Sequence, residues 1–183
     1  MTKGTPVDKR NVPKLRPQKR YAMSDTKIKT PQDYANYARE LFMQGYNCSQ
    51  ALVCAFSDFT ELDDSMAKKL ASPFGGGMGR LREVCGGVSG MFIVLGLLEG
   101  YDEVGNNEKK AELYAKVQQL AEEFEKRNGS YICRELLGLG QGKDSPIPEA
   151  RTKEYYEKRP CPDKVASAAE ILAEYLLTER TPD

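Results

Sequence analysis

At 183 residues, with 40% hydrophobic and 30% charged side chains, the chain has material for one packed core, is short for two, and is unlike a fibrous or disordered composition. Its 27 basic and 27 acidic residues cancel, which removes any overall charge bias toward nucleic acid. Histidine is absent, so Cys-His and Ser-His nucleophile pairs are excluded, as is imidazole ligation of haem or zinc; any metal must be held by thiolate or carboxylate.

Residues 1 to 22 carry seven Lys or Arg against the single Asp8, with three prolines and no apolar periodicity. Residues 1–29 therefore read as a disordered basic tail, and residues 30–183 as a single helical domain. With no aromatic beyond Tyr21 interleaved among its charges, the tail lacks the pattern of a nucleic-acid arm. No apolar run follows these charges, so a secretory signal is not expected, and Met23 before Ser24 and Asp25 is a second candidate start. A cytoplasmic location is the expectation.

The first helix starts with Thr30 as N-cap and Pro31 behind it, lines up Tyr34, Ala38, Leu41 and Phe42, and stops at Gly45. Asn47 with Gln50 three residues on reads as a capping box for a second helix, which opens with Cys48 and carries Ala51, Leu52, Ala55 and Phe56. A third, from Asp63 to Ala71, is expected to bury Met66, Ala67 and Leu70 before Pro73 and the following glycines break it. From Cys85 to Leu98 the chain is apolar and small, with Gly86 and Gly90 on one face, which predicts a central helix ending at Gly100. Its run VSGMFIVLGLL falls short of the ~20 residues that span a bilayer.

The strongest periodicity runs from Asn107 to Asn128 through Leu113, Val117, Leu120 and Phe124, closed by Gly129. Ser130 caps a short turn containing Cys133, residues 138–162 read as a long loop, and a last helix near Pro162 uses Val165, Ala168, Ala169, Leu172 and Leu176. No strand alternation stands out. The fold class is all-α, a compact orthogonal or bundle-like array of about five or six helices.

The stretch SPFGGGMGRLREVCGGVSG contains GxGxG, but it follows a helix, lacks the third spaced glycine and has no GK[ST]. A nucleotide loop is thus the weaker reading. The glycines instead permit positive φ, and Gly75, Gly76, Gly77 and Gly79 are candidates to present backbone N–H groups to a thiolate, sulfide or other anion near Cys85. Asp63-Asp64 and Glu122-Glu123 read as a helix start and a solvated face, and Tyr155 and Tyr156 receive no role.

Five cysteines remain, with no CxxC and no zinc-finger spacing. Cys48, Cys85, Cys133 and Cys161 each fall near a predicted helix start, where partial positive charge favours thiolate, and Arg80, Arg82, Arg134 and Arg159 lie near in sequence to push the same way. Cys54 falls mid-helix, about 120° around from Cys48, and reads as packing. Because they open the helices flanking the glycine loop, Cys48 and Cys85 are the first candidates for a reactive pair. From the residues alone, cluster ligation, thiol-disulfide exchange, a structural zinc site and inert packing all stay open.

The combination of NCSQALVCAF, FGGGMGRLREVCGGVSGMFIVLGLLEG and two separate cysteines further on resembles the redox-active C-GCAxxG-C-C family, over about residues 34–176. The resemblance implies a small helical protein whose characteristic cysteines are Cys48, Cys85, Cys133 and Cys161, with Cys54 outside the set. Gly87 departs from the alanine usual at that place. Members are often encoded near transporter genes, and a related domain in certain cytochromes holds an iron-sulfur cluster, although the haem-attaching CxxCH has no counterpart here. With the four cysteines each at a helix start, the leading expectation is an electron carrier or oxidoreductase with Cys48, Cys85, Cys133 and Cys161 around a 2Fe-2S cluster, and no haem. Metal-free thiol-disulfide chemistry, or a zinc-binding or interaction module serving a transporter, is the alternative. The expected partners are a redox protein, a transporter-associated protein or a second copy, without nucleic acid or membrane insertion.

Overall fold

A computed structural model describes residues 30–178; the expected tail over residues 1–29 and the second start at Met23 lie outside them. Thr30 accepts from the Asp33 amide while the Asp33 carboxylate accepts from the Thr30 amide, a reciprocal cap that starts α1 (Pro31–Met43). The Asn47–Gln50 box does the same for α2 (Cys48–Ala55). Then follow the single turn α3 (Ser57–Thr60), α4 (Asp64–Ala71), a 3-10 turn (Ser72–Phe74) and the distorted turn α5 (Gly75–Met78). The longer α6 (Gly86–Glu99) and α7 (Asn107–Asn128) precede the turn α8 (Cys133–Leu136), the short α9 (Lys153–Lys158) and α10 (Cys161–Thr178).

Six of these helices have eight residues or more, and among the described residues there is no strand, only an isolated antiparallel bridge between Val84 and Ile132. The all-α expectation therefore holds. So does the central place of the glycine-bearing helix: α6 buries Gly86 through Met91 with Val94 and Leu95, and packs on α2, α7 and α10. The first helix presents Tyr34, Ala38, Leu41 and Phe42 inward, as its spacing predicts, and lies along α10, whose Val165, Ala168, Ala169, Leu172 and Leu176 are all buried. Tyr34 stacks on Phe56 at 4.7 Å and donates its hydroxyl to Asp58 at 2.6 Å, which locks α1 onto the end of α2.

Two expectations change. Helix α4 buries Ala67 and Ala71, while Met66 and Leu70 stand exposed at 52% and 40%; small residues let α4 approach α2 closely, and the larger ones are turned outward. The stretch over residues 138–162 also contains α9, whose Thr152 side chain accepts from the Tyr155 amide. Among the described residues no helix is long and apolar enough to cross a membrane.

Candidate thiol site

A cavity of about 190 Å³ opens where α2, α6, α8 and α10 begin, and Cys48, Cys85, Cys133 and Cys161 all line it. Cys48, Cys133 and Cys161 are the first residues of α2, α8 and α10, and Cys85 is the residue immediately before α6. Cys54 is buried elsewhere in the core, beneath α1 and α4.

Local hydrogen bonding fixes the backbone at three of the four cysteines. Asn47 caps α2 and its amide nitrogen also donates to the Ser72 carbonyl at 2.9 Å, so the start of α2 is tied to the lead-in of the glycine run. Across the Val84–Ile132 bridge, the Cys85 amide donates to Tyr131 at 2.9 Å and the Cys133 amide to Glu83 at 2.6 Å, which sets Cys85 and Cys133 on neighbouring segments. Nothing in the local sequence around either cysteine announces that bridge.

The glycines work mainly as space. A Cβ on Gly77 (φ +69) would stand 2.6 Å from the Cys133 Cβ, and one on Gly86 would stand 2.8 Å from the Cys48 Cβ. Both cysteines approach backbone that only glycine leaves uncovered. Gly75 and Gly76 line the cavity, whereas Gly79 (φ +61) ends α5 in a left-handed conformation, donating to the Gly75 carbonyl at 2.9 Å. The amides bonded to the Cys85 sulfur belong to Gly87 and Val88, in the first turn of α6.

Guanidinium groups form much of the remaining wall. Arg82, 4% exposed, directs Nη1 at the Cys133 sulfur (3.8 Å) and donates Nε to Asp144 at 2.8 Å. Arg80 donates Nε to the Ser145 carbonyl at 2.5 Å, and Arg159 pairs with Glu149 at 2.5 Å. Arg134, expected beside them, turns instead to Glu83, Gln141 and the Arg82 carbonyl. Sequence reasoning missed Arg151 and Lys164. Arg151 lies over the Phe42 ring at 4.4 Å and donates to the Phe42 carbonyl at 2.7 Å. Tyr155 lines the cavity too, while Tyr156 packs edge-on against Phe42. Residues 144, 149, 151 and 155 all sit in the stretch without apolar periodicity, where their only signal was charge and aromaticity.

Thiolate stabilisation is expected at all four helix starts but prevails at one. The Cys48 S–H donates to Cys161, and with Arg159, Arg82 and Arg151 nearby it brings the Cys161 thiol down to about 7 despite burial. Cys48 is held well above its ordinary 9.0 by that same contact and by burial. Burial pushes Cys85 up to about 12 against the opposing Gly87 and Val88 amides. It also raises Cys133, against the pull of Arg82. A half-charge at a helix end is outweighed where the thiol is cut off from water.

Cys48 and Cys161 are thus the interacting pair of thiols, while Cys85 and Cys133 sit on neighbouring segments of the same cavity. Among the described residues no three Cys, Asp or Glu side chains gather about one point, as a single tetrahedral metal ion requires. Four thiols line the one cavity, with the Gly87 and Val88 amides at the Cys85 sulfur and the Arg82 guanidinium at the Cys133 sulfur.

Comparison with curated proteins and with solved structures finds no match. The model of one family matches residues 46–175, most of the described chain and all four cavity cysteines. By that match the chain belongs to the C_GCAxxG_C_C family, described as putative redox-active protein.

Proposed function

We propose that the protein is a thiol-based redox protein in which Cys161 and Cys48 exchange electrons as a dithiol-disulfide pair. The observation that carries this reading is that Cys48 and Cys161, at the starts of α2 and α10, line one cavity with the Cys48 thiol placed to donate to the Cys161 sulfur. The two partners divide the labour that exchange needs: Cys161 is the thiolate near neutral pH, and Cys48 keeps its proton until a mixed disulfide has formed. Both are half-buried on an open cavity, so a partner's disulfide can reach them.

A second reading, a 2Fe-2S electron carrier, is favoured by the convergence of Cys85 and Cys133 on the same cavity, which a simple dithiol does not need. In that reading Cys48, Cys85, Cys133 and Cys161 hold the cluster. Such a group supplies one-electron transfer when bound. Here the chain's own part is to supply N–H donors from Gly87, Val88 and Arg82 to the sulfurs, which favours the reduced, more negative state.

The test is to purify the full chain without oxygen, assay iron, acid-labile sulfide and zinc, oxidise it with one equivalent of a disulfide, and map peptides without reduction. The dithiol reading expects a Cys48–Cys161 cross-link as the main product. Stoichiometric iron and sulfide, with visible absorption that disappears when Cys85 or Cys133 is replaced, overturns it in favour of the cluster. A main cross-link between other cysteines overturns it as well.

A further inference from the structure

The cavity wall has a charge that electron exchange by itself does not require. Arg80, Arg82, Arg151, Arg159 and Lys164 line it, and the one carboxylate among the lining residues is Glu149. Glu149 is engaged by Arg159 at 2.5 Å and by Arg80 at 3.5 Å. Asp144, behind the wall, is engaged by Arg82 at 2.6 Å and by Arg80 at 3.3 Å. Counting both carboxylates, the wall still carries a positive excess. Arg80, Arg82 and Arg159 have side chains only 18%, 4% and 15% exposed, so their field is weakly screened by solvent. Among the described residues no carboxylate pairs with Arg151, whose hydrogen bond goes to the neutral Phe42 carbonyl.

We infer that the natural oxidant or reductant of the Cys161–Cys48 pair is a small anionic disulfide, one bearing carboxylate groups close to its sulfur-sulfur bond. The inference rests on the dithiol reading and adds the substrate's charge and size. Size enters because about 190 Å³ is below the ~300–1,000 Å³ of pockets for drug-sized ligands, so the space suits a short chain or one end of a longer one. Charge enters because a thiolate alone repels an anion. The guanidinium wall reverses that repulsion and raises the local concentration of anions over cations.

The exchange balances without a further reactant. The Cys161 thiolate attacks one sulfur of the small disulfide, the sulfur-sulfur bond breaks, and one half departs as thiolate. The Cys48 sulfur then attacks Cys161 in the mixed disulfide and loses its proton to the departing half. The chain ends as the Cys48–Cys161 disulfide, two electrons poorer, and the substrate ends as two reduced thiols. In the reverse direction the same steps oxidise the anionic thiol.

The test is the rate at which the reduced full-length protein is oxidised by three short disulfides that differ in charge: dithiodipropionate (anionic), bis(hydroxyethyl) disulfide (neutral) and cystamine (cationic). Each rate is divided by that of dithiothreitol with the same compound, which removes intrinsic reactivity. The expected result is a normalised preference for the anion over the cation of about tenfold or more at low salt, within the range that electrostatic focusing supplies. That preference should fall toward parity at about 0.5 M salt. Arg151→Gln and Lys164→Gln should each reduce it, with circular dichroism checking the fold. Equal normalised rates in the unaltered protein, or a preference for cystamine, overturn the inference. If the neutral disulfide still yields the Cys48–Cys161 cross-link in that case, the dithiol reading survives; if no disulfide yields it, that reading fails instead.

Discussion

Cys54 and Cys161 show how far one side chain's chemistry is set by its surroundings. Cys54 lies in the core, where burial, and then the nearby Asp64 charge, push its thiol up to about 11. In the unfolded chain it ionises at its ordinary 9.0. Below that pH both states are protonated and the stabilising difference is fully present; as pH rises from 9.0 toward about 11 the unfolded state alone loses its proton, and stability falls. Urea unfolding of the reduced protein at stepped pH should thus show an alkaline loss that is shallower in Cys54→Ala than in the unaltered chain. Identical pH slopes would remove burial of Cys54 as a cause. Cys161 behaves oppositely, since its folded thiol is lowered to about 7: its contribution is full above 9.0 and disappears as pH falls through about 7. Iodoacetamide labelling followed by peptide should find Cys161 half-reactive near that pH and Cys54 unlabelled. Labelling of Cys48 ahead of Cys161 would reverse the assigned roles.

At the scale of the elements, α6 tests the idea that glycine serves approach to the thiols. Gly86 and Gly96 are both helical, yet a Cβ on Gly86 would meet the Cys48 Cβ at 2.8 Å and the Phe74 carbonyl at 3.0 Å, while one on Gly96 would meet nothing within 4 Å. Gly96→Ala should raise stability by about 0.5–1 kcal/mol through helix propensity. Gly86→Ala gains the same propensity but must displace the start of α2, and should come out about 1–3 kcal/mol less stable. Thermal melts of the two variants decide it, and a stabilised Gly86→Ala would sink the account. At Gly87, where the family usually has alanine, a methyl would stand 3.2 Å from the Ala168 Cβ, so this chain gives up a tight contact between α6 and α10 more than it opens a gap. What could be read from the sequence follows the same division between local and distant causes. The Thr30 cap and the Asn47–Gln50 box were legible because a cap is made within four residues, and the helix starts near the other three cysteines were read from the glycines, Ser130 and Pro162. The outward turn of Met66 and Leu70 was not, because it depends on how near α4 comes to α2. Nor was the meeting of Cys48 with Cys161 rather than Cys85, because the start of α10 reaches the cavity through packing of α10 on α1, α2 and α6, which no local pattern displays.

For the whole molecule, the site joins parts of the chain that are far apart. Cys48 opens α2 near one end of the described residues and Cys161 opens α10 near the other, with α6 packed against both helices. A bond between those two sulfurs would close a loop of roughly 110 residues, for which chain entropy alone predicts about 4–5 kcal/mol of stabilisation. Helices α2 and α10 already pack on each other and on α1, and strain in the closed bond would reduce this gain. The oxidised protein should unfold at a clearly higher urea concentration than the reduced one, with a smaller m-value because its unfolded state stays more compact. Cys161→Ser should abolish both differences, whereas Cys54→Ala should leave them intact, since Cys54 lies outside the cavity. If oxidation leaves the midpoint unchanged while the Cys48–Cys161 cross-link is present, native strain offsets the entropic gain and the disulfide is a reactive one, held at the oxidising end of the range. A rise of several kcal/mol would instead make the oxidised state the resting one. The redox state would then govern the stability of the entire fold from a single pair of helix starts.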